Sequence, residues 1–149
     1  ETIYARLQSL RPETLVPALT DSPVALAAWF IEKFQRWGDV REGMEAAFGI
    51  DRLLDNLSLH WFTRSAATST RLYHEARLGT APMGKVDVPT AILMPTHDGV
   101  TVPAPPAWCE RTFNVVRFTT MEKGGHFAEW EAPTFVSHDL RSFFATLRN

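Results

Sequence analysis

Only two stretches of this chain read as β-strands, and both lie after residue 80. VPTAILM at 88–94 is a short apolar run of the kind used by buried parallel strands, closed by Pro95. NVVRFTTM at 114–121 is β-branched and aromatic with rough alternation. Between them a Pro-rich connection, Val102 to Pro106, leads to a short helix expected around Ala107 to Arg111. After the second strand a helix starts at Pro133, with apolar residues at Phe135, Val136, Leu140, Phe143, Phe144 and Leu147 in helical spacing. The order strand, helix, strand, helix makes two steps of a parallel α/β sheet. Two parallel strands are not stable alone, because such sheets are covered on both faces and contain more strands. The pattern therefore predicts the end of a larger α/β sheet whose first strands lie outside this sequence.

The first half is helical. Asp21-Ser22-Pro23 is a helix start, VALAAWFIEKFQRW follows it with a buried face, and Gly38 ends it. A second start at Asp51 opens RLLDNLSLHWFTRSAATSTRLYHEARL, too long for one helix and expected to break within TRSAATST, where large apolar residues are missing. Pro82 and Gly84 mark a linker, so the expected division is a helical region over 1–80 and part of an α/β core over 81–149.

Several classes of function are disfavoured by what the 149 residues lack. A net charge of -2 gives no basic surface for nucleic acid. The single cysteine, Cys109, excludes an internal disulfide framework and a Cys-rich zinc site. No apolar run approaches the roughly 20 residues that span a bilayer. The sequence opens at Glu1 with no methionine or signal-like segment, which suits a fragment or a processed piece. The expected location is cytoplasmic, with any targeting or anchor segment lying upstream.

Side chains just past the carboxyl ends of strands in an α/β sheet gather in one crevice. One such loop carries Pro95-Thr96-His97-Asp98-Gly99, and the other carries Gly124-Gly125-His126. Asp98 could accept the ring N–H of His126 and set its tautomer, leaving the other nitrogen to take a proton from water. Asp98-Gly99 is also a common turn dipeptide, which leaves a purely structural reading open. His97 reads as a loop residue, and His60, His74 and His138 as surface or partly packed helix residues. His97, Asp98 and His126 can also be drawn as a metal site.

The stretches RPETLVPALTDSPVALAAWFIEKFQRW, LLDNLSLHWFT, TSTRLYHEARLG, VPTAILMP and GGHFAEWEAP together resemble the C-terminal half of the α/β-hydrolase-fold epoxide hydrolases. The likeness is to the microsomal and juvenile-hormone branch and runs nearly end to end. It implies a helical lid followed by the C-terminal part of the hydrolase core. It also implies conversion of an epoxide to a vicinal diol through an alkyl-enzyme ester, with a role in detoxification of foreign compounds. By the resemblance His126 matches the water-activating base and Asp98 the carboxylate that orients it. Tyr73 and Tyr4 match the two lid tyrosines that donate hydrogen bonds to the epoxide oxygen, although Ile3 stands where the family usually has glycine. These are the only two tyrosines in the chain. Two neutral phenols of pKa about 10 can donate to a developing alkoxide without being ionised at neutral pH.

No G-x-[nucleophile]-x-G pattern and no His-Gly pair occur, so the attacking aspartate and the oxyanion segment are expected outside these residues. The resemblance implies no cofactor and no metal. The expected partners are a small hydrophobic epoxide and either the N-terminal half of the enzyme or a second copy of this chain. The apolar lid residues Trp29, Phe30, Phe34, Trp61 and Phe62 suggest a pocket, some of them belonging to the core. Two alternatives remain at this point. One is a haloalkane dehalogenase, with Trp61 and Trp108 as N–H donors; the other is a non-catalytic fragment that binds a hydrophobic ligand or a protein.

Overall fold

The computed structural model describes residues 2–78 and 84–148. The first half forms α1 (Thr2–Leu10), α2 (Pro12–Asp21), α3 (Pro23–Trp37), α4 (Met44–Phe48), α5 (Ile50–Thr63) and α6 (Ala66–Leu78). The second half forms β1 (Val86–Pro95), α7 (Pro106–Cys109), β2 (Phe113–Met121), α8 (Ala128–Glu131) and α9 (Pro133–Thr146). Prolines open α2, α3, α7 and α9, where the first-turn N–H has no intrahelical acceptor to lose. Ser22 caps α3 by accepting the Ala25 N–H at 3.2 Å. The expected break after Asp51 falls at Arg64, which takes a left-handed conformation (φ 53°); its N–H donates to the Trp61 carbonyl and that of Ser65 to the His60 carbonyl, each at 3.2 Å. The expected linker residue Pro82 and the 80/81 boundary lie outside the described residues.

β1 and β2 pair in parallel, with irregular register near Pro89, which has no N–H to give a ladder. From Ala91 onward the pairing is regular and ends with Pro95 level with Met121. The two strands therefore release their loops side by side. Helix α9 is tied to β2 by the buried Asp139, which accepts hydrogen bonds from Arg117 Nε and Thr119 Oγ1, each at 2.9 Å.

Packing divides the chain into two units that interleave in sequence: residues 1–33 with 49–82, and residues 34–48 with 83–149. The first is built around Leu19, Leu26, Leu57 and Ala66, with Trp29, Phe30 and Trp61 packed against them. In the second, an aromatic cluster draws residues 34–48 away from the helical region with which sequence had grouped them. Phe34 stacks on Phe127 at 4.4 Å and meets Phe48 and Trp130 edge-on at 5.1 and 5.3 Å. Burying a side chain of this size contributes about 1.5–3 kcal/mol, which outweighs the sequence proximity of this segment to its helical neighbours. Of the expected pocket residues, Phe34 is thus core, whereas Phe62 is 81% exposed.

Among the described residues, no single helix is long and apolar enough to cross a membrane.

Candidate active site

The second unit carries His126 and Asp98. Because β1 and β2 end level, the loops after them run together, and Thr96 binds the Met121 carbonyl through its Oγ1 at 2.7 Å. Asp98 then lies 3.2 Å from His126, Oδ2 to Nδ1. The Asp98 carboxylate is nearly buried while the imidazole is about a third exposed. Burial pushes Asp98 upward. Hydrogen bonds from Thr101 Oγ1 at 2.6 Å, from the Val100 N–H at 2.7 Å and from His126 outweigh it, so the carboxyl sits below its usual range. An ionised Asp98 accepts the Nδ1 proton and leaves Nε2 as the basic nitrogen. Nε2 has no hydrogen-bond partner among the described residues.

The imidazole is framed by rings. Trp37 meets it edge-on at 5.2 Å and Phe127 at 5.1 Å. Its backbone N–H donates to the Trp37 carbonyl at 3.0 Å, and the same carbonyl accepts the Gly99 N–H at 3.2 Å. Sequence reasoning missed this frame. By sequence Trp37 is only the end of a helix, and nothing in the pattern marks Asp39 or Glu131. Asp39 accepts the Gly124 N–H at 3.1 Å and is gripped by Arg41 at 2.6 and 2.7 Å. The Arg41 guanidinium is the main reason the Asp39 carboxyl falls well below its usual range, against the upward push of burial. The one signal available was the clustering of polar residues around Gly38 and around His126, with nothing to join them.

The first unit carries the tyrosines. Tyr4 on α1 and Tyr73 on α6 meet with perpendicular rings 5.4 Å apart, and the Tyr73 hydroxyl donates to the Tyr4 oxygen at 3.2 Å. Tyr4 also stacks on Trp29 at 5.4 Å, and Lys33 Nζ lies over both rings, 4.9 Å from Tyr4 and 4.4 Å from Trp29. Burial, then the Tyr73 bond, pushes the Tyr4 phenol well above its ordinary value, so it stays protonated throughout the neutral range. His74 binds the Ser9 carbonyl at 2.7 Å and His60 the Ser65 hydroxyl at 2.8 Å, both as packed helix residues. Burial lowers His60. His97 stays in the loop beside Asp98, and no group of three or more His, Cys, Asp or Glu side chains among the described residues is arranged to hold a metal. Trp108, on α7, is 68% exposed.

A His–carboxylate pair at strand ends suits activation of a water, and, in the other unit, two phenols in contact suit hydrogen bonding to an oxyanion. No protein-family model matches the chain. Individual proteins do. A putative epoxide hydrolase of Stigmatella aurantiaca is 40% identical over 146 residues, covering 97% of this chain and 33% of that protein. Epoxide hydrolase 1 of Sus scrofa is 34% identical over 99% of this chain and 35% of its own length. The crystal structure of juvenile hormone epoxide hydrolase from Bombyx mori superimposes with a TM-score of 0.88 at 33% identity, covering 99% of this chain and 40% of that one. An enantioselective mutant of the Aspergillus niger enzyme gives 0.80 at 32% identity, over 97% of this chain and 36% of that one. The chain spans about a third of the length of the curated relatives it matches. With the helices and the two-stranded parallel sheet in place, the chain has the fold of the C-terminal part of the α/β-hydrolase-fold epoxide hydrolases and is similar to them over nearly its whole length.

Proposed function

We propose that this chain supplies the epoxide-oxygen donors and the water-activating base of an enzyme that converts epoxides to vicinal diols. The observation that carries this reading is the meeting of Tyr4 and Tyr73. The only tyrosines in 149 residues come from helices far apart in sequence, yet their hydroxyls lie 3.2 Å apart. Two phenols so placed suit one oxygen that gains negative charge as a ring opens. Halide stabilisation, the task of a dehalogenase, calls for N–H donors, and Trp108 is displayed on the surface.

In this scheme an aspartate outside these residues attacks an epoxide carbon and forms an ester, while the phenols hold and protonate the departing oxygen. Asp98 keeps the proton of His126 on Nδ1, and Nε2 removes a proton from the water that attacks the ester. The ester C–O(acyl) bond breaks, the diol leaves and the carboxylate nucleophile returns, and the proton held by His126 passes through solvent to restore the phenol that gave its own to the epoxide oxygen. Residues 1–80 act as the lid and 81–149 as part of the hydrolase core, joined there by residues 34–48. The substrate class is a small hydrophobic epoxide, as the relatives' names suggest, and the scheme needs no metal or organic cofactor.

The exposed apolar side chains Val116 on β2, Phe135, Leu140 and Phe144 on α9, and Leu147 just after it, support association with the remainder of the sheet or with another copy of the chain. The deciding experiment is single-turnover kinetics on the full natural polypeptide with styrene oxide as probe. His126→Gln should form the alkyl-enzyme at near-normal rate and accumulate it. Release of diol by that variant at the wild-type rate would remove His126 from the water step.

A further inference from the structure

We infer that Glu131 is a positioning residue for His126, acting with the backbone of residues 37–39 to hold the base and Asp98 in register; this rests on the role proposed above for His126. Four successive N–H groups lead through the histidine, and each has its own acceptor. Gly124 donates to Asp39 Oδ2 at 3.1 Å, Gly125 to Glu131 Oε2 at 2.9 Å, His126 to the Trp37 carbonyl at 3.0 Å and Phe127 to Glu131 Oε1 at 2.9 Å. Glu131 Oε2 also takes the Asp39 N–H at 2.6 Å. One carboxylate thus grips the backbone on both sides of His126 and fastens it to the segment that follows α3.

That segment reaches the other half of the pair as well. The Trp37 carbonyl binds the Gly99 N–H, next to Asp98. The spacing of Nδ1 and Oδ2 is therefore set from both ends by the same few backbone atoms. The contacts are close enough to require glycine. A Cβ on Gly125 would stand 2.6 Å from the Asp39 nitrogen and 2.8 Å from the Trp37 oxygen, and one on Gly99 only 2.0 Å from the Arg36 oxygen. Glu131 itself contacts backbone rather than the ring, so its influence on the base is exerted through the loop. Three N–H groups converge on its two oxygens, an arrangement that needs acceptors only. Glutamine would turn an NH2 group toward one of them.

The test uses the full natural polypeptide labelled with 15N-histidine, comparing Glu131→Gln and Glu131→Ala with Asp98→Asn and with the exposed neighbour variant Glu129→Gln. Ring 15N shifts report the tautomer. Wild type and Glu129→Gln should hold the Nδ1–H form, whereas both Glu131 variants should show the mixture seen in Asp98→Asn. Amide exchange at Gly125 and Phe127 should accelerate by about tenfold to a hundredfold, the scale of one lost hydrogen bond to a charged group. With styrene oxide, ester hydrolysis should slow at least about tenfold while ester formation stays within about twofold, a split expected of a residue acting only on the water step. A wild-type tautomer in both Glu131 variants would overturn the inference, even if their stability fell, since that is what a purely structural role gives. If Glu131→Ala does not fold, Glu131→Gln carries the same test. A wild-type protein that turns over no epoxide would overturn the proposed reaction, whereas the tautomer measurement would still decide the role of Glu131.

Discussion

Tyr73 donates its hydroxyl proton to the oxygen of Tyr4 across 3.2 Å, joining α6 to α1. The two phenols therefore bond each other at rest, and in the proposed reaction an epoxide oxygen has to enter this bond to collect both donors. Tyr73→Phe and Tyr4→Phe should each slow ester formation by about a hundredfold to a thousandfold, the range found when one oxyanion donor is removed. Ester hydrolysis should be nearly unchanged, because water attack depends on His126. Rapid-quench measurement of the two steps checks this; equal slowing of both would point to a general structural role for the pair.

Glycine at 99 and 125 is demanded by close approach to backbone rather than by turn conformation. Neither has a positive φ, yet a Cβ at either would meet main-chain atoms of residues 36–39 at 2.0 and 2.6 Å. Gly99→Ala and Gly125→Ala should each cost about 1–3 kcal/mol, the usual penalty of overpacking. Gly84→Ala, with nothing within 4 Å of the added methyl, should be close to neutral. Urea unfolding of the three variants checks the order, and a neutral Gly125→Ala would show that residues 37–39 can move aside.

Acid should destabilise the protein earlier than an ordinary surface charge set would suggest. Burial raises Asp98 and Asp139, but hydrogen bonds outweigh it, from Thr101, Val100 and His126 in one and from Arg117 and Thr119 in the other. Both carboxyls therefore bind protons less tightly when folded than when unfolded. Their contribution is fully present above the unfolded value of about 3.9 and is lost as pH falls toward and through the lower folded values. Thermal melting should show Tm steady near neutrality and dropping below about pH 5. Asp139→Asn should flatten part of that drop at a cost of about 1.5–3 kcal/mol at pH 7, the scale of hydrogen bonds to a charged group. A Tm that rises between pH 5 and 3 would contradict the assignment.

Arg64 holds a left-handed conformation at the end of α5 without being glycine. Its side chain makes no hydrogen bond or ion pair among the described residues, so replacing it with glycine removes strain without removing a polar contact. Arg64→Gly should raise stability by up to about 1 kcal/mol, since a Cβ in this region costs roughly 1–2 kcal/mol. Denaturant midpoints of the two proteins measure it directly; a loss of stability would mean that Arg64 contributes packing that offsets the strain.

What the sequence reveals about this molecule divides along the distance between partners. The strands at 88–94 and 114–121, the stop at Gly38 and the break at Arg64 are local matters of residue type and spacing, and they lie where the pattern puts them. Asp98 and His126 were legible because two strand ends place them side by side, and their contact spans loops that leave at the same level. Glu131 and Asp39 were not, since a carboxylate meeting a backbone N–H 92 residues away leaves no periodic trace. The same holds for residues 34–48, whose short α4 follows a helix assigned to the lid and whose aromatic partners come from around His126.

The interleaving of the two units sets rules for recombination. A helical region exchanged as a cassette at residue 80 would carry away Trp37 and Asp39, and with them the acceptors of the Gly124, His126 and Gly99 N–H groups. The incoming chain would have to supply a matching segment at positions 37–39, or the base would arrive in a loop with no mould. A chimaera cut at 33/34 and 48/49 as well as at 82/83 leaves that mould with its histidine. In such a protein new helices could be grafted on while the backbone setting of His126 and Asp98 is kept whole.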